Sequence, residues 1–124
     1  MVEKFWFSKS DEFYSIAKEM VEKGYYWFSC FASQQSVEFL LKGIEIKYTG
    51  SHTFTHDLSE LLQRVEKILG VKATEEVYQA CDFLTPHYTV SRYSMVTSYD
   101  KRKALECIKM SEIVRNWVNS QIKP

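Results

Sequence analysis

Only four glycines and two prolines interrupt 124 residues. Gly24, Gly50, Gly70 and Pro86 fall where apolar periodicity stops, so they read as ends of long elements rather than as a turn-rich architecture. No stretch alternates apolar and polar residues in the manner of a strand, and neither an internal repeat nor a low-complexity segment is present. Neither sign of charge is in excess: Lys plus Arg and Asp plus Glu both number 16. That balance removes any global field toward nucleic acid or an anionic membrane, and an anion site has to be local. Long apolar runs are missing too. No window approaches 18 uninterrupted apolar residues, and the opening MVEKFWFSKSDEF lacks a basic region followed by an apolar core, so the expectation is a soluble, cytoplasmic chain with no membrane role. Cysteine is scarce and odd in number. Cys30, Cys81 and Cys107 lack CxxC spacing and each lies on a helical apolar stripe, which reads as reduced, buried thiols rather than a disulfide framework.

What the chain has is apolar surface. Hydrophobic residues make up 45%, with eight Phe, eight Tyr and three Trp, a large endowment for one domain over residues 1–124. A chain of this length buries roughly 65% of its unfolded surface, and surplus aromatic area left outside points to self-association.

The stretch from Tyr25 to Gly50 organises the rest. Cys30, Val37, Leu41, Ile44 and Tyr48 share one seam, Trp27 and Phe31 another, and Phe28, Ala32, Phe39 and Ile46 a third. A helix apolar on nearly every side sits inside a bundle. Its polar residues, Gln34, Gln35, Glu38, Lys42 and Glu45, form one strip, with Glu38 and Lys42 spaced i,i+4 in the favourable acid-first order. Before it, Ser8 with Asp11 predicts a helix start, and Phe13, Ile16, Ala17, Met20 and Val21 supply an amphipathic face ending at Gly24. After it, Asp57 with Glu60 predicts a capped helix carrying Leu58, Leu61, Leu62, Val65, Ile68 and Leu69. Thr74 caps a shorter one carrying Val77, Ala80, Cys81 and Leu84, which Pro86 ends. Thr85 to Tyr99 has no sustained period. The last helix starts near Asp100 and turns Ala104, Cys107, Ile108, Ser111, Val114 and Val118 inward. The fold class is all-α, an up-and-down antiparallel bundle of four long helices plus one short helix.

Three segments resemble the HEPN family: Phe31-Ala-Ser-Gln-Gln-Ser-Val-Glu38-Phe-Leu-Leu-Lys42-Gly, His56-Asp57-Leu58, and Arg92-Tyr93 after an irregular tyrosine-containing stretch. They run in family order, and the similarity covers nearly the whole chain. The resemblance implies a polar groove near a dimer interface, and hence a homodimer. Some members are metal-independent endoribonucleases with an R-x4-6-H motif, in which histidine moves a proton and arginine holds phosphate oxygens. Here no histidine follows Arg92, and the nearest, His87, precedes it. Other small members stand beside a minimal nucleotidyltransferase, the MNT partner, in a toxin and antitoxin-like pair with a proposed nucleotide-binding role. Arg92-Tyr93-Ser94 is similar to the RYP-type ending of that group, with serine replacing proline.

The resemblance therefore implies a nucleotide- or RNA-phosphate-binding module acting with an MNT-type partner, without a cofactor. The alternatives are an endoribonuclease with a degenerate motif, its catalytic candidates Arg92, His87 and His56, and a purely structural oligomerisation partner. The ligand-binding candidates are Arg92, Tyr93, Lys42, Glu38, His56, Asp57, His87 and Tyr88. Each also has a bland role: Arg92 pairing with Glu38 or another acid, Tyr88 and Tyr93 packing in the bundle, His56 preceding a capping Asp57, Glu38 and Lys42 forming an exposed pair. His52 and His56 have i,i+4 spacing but lie in a loop with no third ligand nearby, so no metal site is expected. Lys101, Arg102 and Lys103 open the last helix, where the dipole disfavours cations, which calls for an anion or acidic partner close by or else a solvated basic turn.

Overall fold

A computed structural model describes residues 2–95 and 98–122. Six α-helices and one 3-10 turn follow in order: α1 (Val2–Glu22), α2 (Tyr26–Thr49), α3 (Leu58–Leu69), α4 (Glu75–Leu84), the 3-10 turn Thr85–Tyr88, α5 (Val90–Tyr93) and α6 (Lys101–Gln121). The all-α bundle expected from periodicity is what forms, with short turns inserted before the last helix.

From Ser29 to Glu45 every residue of α2 is buried except Phe31 and Phe39, which are half-buried. This is the central helix. It packs against α1, α3, α6 and the 3-10 turn, while α4 closes on α3 and α6. The larger core joins Val37, Leu41 and Ile44 of α2 to Leu58, Leu61, Leu62 and Val65 of α3, Val77, Ala80 and Leu84 of α4, and Val114 and Val118 of α6. A smaller cluster joins Ala17 and Val21 of α1 to Ala32, Ala104 and Ile108. The inward positions read from α3, α4 and α6 are buried or half-buried as the 3.6-residue period requires.

The caps explain where elements begin. The Asp57 side chain accepts from the Ser59 and Glu60 amides, Thr74 from Val77, and Asp100 from Lys103. The Asp57 amide is taken by Thr55 Oγ1 at 3.1 Å, the role a capping box would give Glu60. The Asp100 carboxylate lies at the positive end of α6, where it favours the helix. Gly50, at φ +84°, ends α2 in the left-handed region, its amide donating to Ile46 O.

Three expectations are corrected. α1 begins at Val2, a full turn and more before Ser8, because Trp6 packs on Phe39 and His52 at centroid distances of 5.1 and 4.8 Å and tertiary contact carries the helix through a run of aromatics with modest helix propensity. Second, much of the segment read as irregular is wound into the 3-10 turn and α5, held by Thr89 N–H to Pro86 O and Ser94 N–H to Val90 O. Pro86 sits in the first positions of the 3-10 turn, where its missing amide is not needed. Val96 and Thr97 of that segment lie outside the described residues. Third, Cys30 and Cys107 are joined as a disulfide between α2 and α6, with Cα atoms 5.2 Å apart. Periodicity placed each on an inward stripe but could not show that the two stripes face each other. Cys81 alone remains a free buried thiol, and burial raises its pKa.

α1 can approach α2 closely because Gly43 has no side chain: a Cβ there would stand 2.7 Å from Phe7 Cε1 and 3.1 Å from Trp6 Cβ. Gly43→Ala gains about 1 kcal/mol of helix propensity but displaces α1 at a cost of about 1–3 kcal/mol. The expected net loss is about 1 kcal/mol in urea unfolding; a variant more stable than wild type would show that Phe7 swings aside freely.

Candidate functional site

The polar strip of α2 lies beneath the loop that enters α3. Glu38, only 4% exposed, accepts from Lys42 Nζ at 2.9 Å, from Gln34 Nε2 at 3.1 Å and from Gln35 Nε2 at 3.2 Å. Across the loop, His56 Nδ1 reaches both carboxylate oxygens, at 3.0 and 2.9 Å. Facing a carboxylate, Nδ1 carries the ring proton, and Nε2 is left on the other side of the ring. Gln34 also donates to His56 O at 3.2 Å, and Glu45 holds Thr53 through its amide and hydroxyl. The loop is therefore fixed to α2 by the strip itself.

The His56 imidazole is half-exposed and stacks on Tyr88, with centroids 3.7 Å apart and planes 15° from parallel. Tyr88, from the 3-10 turn, also carries Arg92: the guanidinium carbon is 4.5 Å from the Tyr88 ring, 4.6 Å from Phe31 and 4.8 Å from Tyr93. Arg92 Nε donates to Tyr88 O at 2.8 Å. An exposed cation on an aromatic face gains about 0.5–1 kcal/mol, so rings and carbonyl together fix the side chain. Among the described residues its partners are rings and Tyr oxygens; it does not pair with Glu38.

The remaining candidates separate into those this patch gathers and those it does not. Phe31, His56, Tyr88, Arg92 and Tyr93 meet at one patch, and Glu38 lies buried beneath it, holding His56. Phe31 heads the family-like segment of α2 and lies on an apolar stripe, but it is not among the ligand-binding candidates; its signal is its place seven residues, two helical turns, before Glu38. Lys42 is 5% exposed and neutralises Glu38 from within, so the pair is neither the exposed bridge nor the open groove that its spacing allows. Asp57 is committed to capping α3. His87 is buried, packed against Phe83, with Nδ1 2.6 Å from the Tyr99 hydroxyl. Burial, with the Lys103 charge, pulls its pKa down to about 4, and the structure does not bring it to the Arg92 patch. His52 bonds Thr53 O and packs on Trp6 and Phe54, so it makes no pair with His56.

The HEPN domain profile matches residues 3–121. The chain belongs to the HEPN family. The three segments carrying the resemblance in sequence are the ones that meet at this patch: Phe31 and Glu38 on α2, His56 before α3, and Arg92 with Tyr93 on α5. Among solved structures, an archaeal HEPN homologue, ST0689, is 30% identical, with a TM-score of 0.77 and 98% of each chain covered. TT1696 from Thermus thermophilus is 22% identical with a TM-score of 0.86, covering 97% of this chain and 98% of its own, and shows the shared HEPN fold. No curated protein matches. Among the described residues no helix is long and apolar enough to cross a membrane.

Proposed function

We propose that this HEPN chain is a binding module for the phosphate and base of a nucleotide or single-stranded RNA, working as a homodimer beside an MNT-type nucleotidyltransferase. The observation that carries the reading is the exposed Arg92 guanidinium laid over Phe31, Tyr88 and Tyr93. A fixed planar fork suits phosphate oxygens, and the exposed Tyr93 ring beside it offers a stacking face that tolerates any base. Tyr93 is 68% exposed and Met95 99%, with Trp27 and Tyr25 also outside, apolar area consistent with a partner or second subunit. One charge-assisted contact and one stacked base give weak affinity for a free nucleotide, so the useful site is shared with a partner or extended along RNA.

Fluorescence anisotropy with a labelled single-stranded RNA tests this. Arg92→Ala is expected to weaken binding at least tenfold, about 1.4 kcal/mol, with a shallower salt dependence. Unchanged affinity would leave Arg92 a surface residue and favour a purely structural oligomerisation role. Sedimentation showing a monomer at micromolar concentration would remove the dimer.

A second reading, metal-independent ribonuclease, has one observation in its favour: Glu38 orients His56, which shares Tyr88 with Arg92. In it His56 Nε2 takes the 2'-hydroxyl proton and Arg92 stabilises the phosphorane. RNA incubated with EDTA distinguishes them. Cleavage lost in both His56→Ala and Arg92→Ala makes the chain an enzyme, while binding with intact RNA leaves it a module.

A further inference from the structure

Away from the Arg92 patch, three metal-ligating side chains converge in the interior. Cys30 of α2, His87 of the 3-10 turn and Cys107 of α6 each place one ligand atom within 4.8 Å of the other two. The cysteines are fully buried and His87 is 7% exposed. Tyr99 holds His87 Nδ1 at 2.6 Å, so Nε2 is the nitrogen left to ligate, and the hydroxyl supplies the outer partner that fixes ring orientation in metal sites. Tyr99 also lines an open surface pocket of about 260 Å³ with Gly24, Tyr26, Trp27, Ser91 and Ser94, so the outer partner of His87 lies between the buried ligands and the surface.

The geometry points to a zinc-type site in which Cys30, Cys107 and His87 Nε2 bind a thiophilic divalent cation, gated by the disulfide between the two cysteines. Two thiolates and one imidazole suit a tetrahedral ion with one open position. Charge selects a divalent ion over copper(I): two thiolates neutralise a dication, whereas a monocation leaves one net negative charge in a buried place. The disulfide cannot ligate in this way. A dithiol reductant supplies the two electrons and two protons that open it to two thiols, itself closing to a disulfide, and the entering ion displaces both protons as the thiolates form. The cysteines stand 77 positions apart in sequence, with the histidine far from either, which hid this set from any spacing motif.

The test reduces the full chain with a water-soluble phosphine, which takes oxygen from water as the disulfide becomes two thiols, removes metal with EDTA, and titrates Co²⁺ then Zn²⁺ anaerobically. One equivalent of Co²⁺ is expected, giving thiolate charge-transfer absorption that Zn²⁺ bleaches. Cys107→Ala should abolish the band, and Tyr99→Phe, which keeps the ring, should weaken binding 10–100-fold. The oxidised protein should show no band. The proposal is overturned if reduced wild type gives no thiolate band, or if Co²⁺ binding persists unchanged in Cys107→Ala, which would assign it to surface histidines. Should Cys107→Ala fail to fold by circular dichroism, the wild-type titration and Tyr99→Phe decide alone.

Discussion

Glu38→Ala is expected to lower stability by about 3–5 kcal/mol, the cost of breaking a buried ion pair from one side. The carboxylate is the single acceptor shared by Lys42, Gln34, Gln35 and His56. Removing it strands an ammonium that is 5% exposed and frees the loop that His56 ties to α2. For a domain of this size the midpoint temperature should fall by roughly 10–20 °C. The double variant Glu38→Ala/Lys42→Met separates charge burial from cavity formation: taking away the stranded cation should recover more than half of the loss. Glu38→Gln, which keeps shape and one acceptor, should sit between wild type and Glu38→Ala and remains measurable if the alanine variant does not fold. Urea unfolding gives all three values. A loss below about 1 kcal/mol in Glu38→Ala would mean the pair behaves as a solvated surface bridge.

That network also marks how far sequence alone reaches. The acid-first spacing of Glu38 and Lys42 was visible, as was their place on the only polar strip of an otherwise apolar helix. Their burial was not, because it depends on a loop whose position is set by Thr53 on Glu45 and His56 on Glu38, contacts spanning 8 and 18 residues. Helix ends governed by local chemistry were legible: Asp57 and Thr74 cap the helices they were expected to cap, and the last helix starts at Asp100 as its position suggested, since a cap involves neighbours two or three residues away. The start of α1 was not, because Trp6 and Phe7 are helical through what they touch on α2. The same division holds for the candidate site. Arg92, His56 and Tyr88 were named from the family resemblance, yet an acid was the expected alternative partner of Arg92, and three rings are what it finds. Their pairing required knowing that the 3-10 turn lays Tyr88 between the His56 loop and α5. Cys30 and Cys107 make the point from the other side, each correctly placed inward with nothing local to say they meet.

Tyr88 is the shared plate of the patch, and Tyr88→Ala should cost about 2–3 kcal/mol, less than the roughly 3–5 kcal/mol of a fully buried aromatic because the ring is half-buried. Its ring, not its hydroxyl, makes the contacts with His56 and Arg92, so Tyr88→Phe should stay within about 0.5 kcal/mol of wild type and bind RNA as well. Tyr88→Ala should bind as poorly as Arg92→Ala, since the guanidinium loses a face that fixes it. The double variant is then the sharper measurement. If Arg92 acts only when held against Tyr88, Tyr88→Ala/Arg92→Ala binds no worse than either single variant, an interaction energy nearly as large as each single loss. Strictly additive losses would mean that ring and guanidinium touch the ligand independently, and that stacking the arginine is packing with no part in recognition.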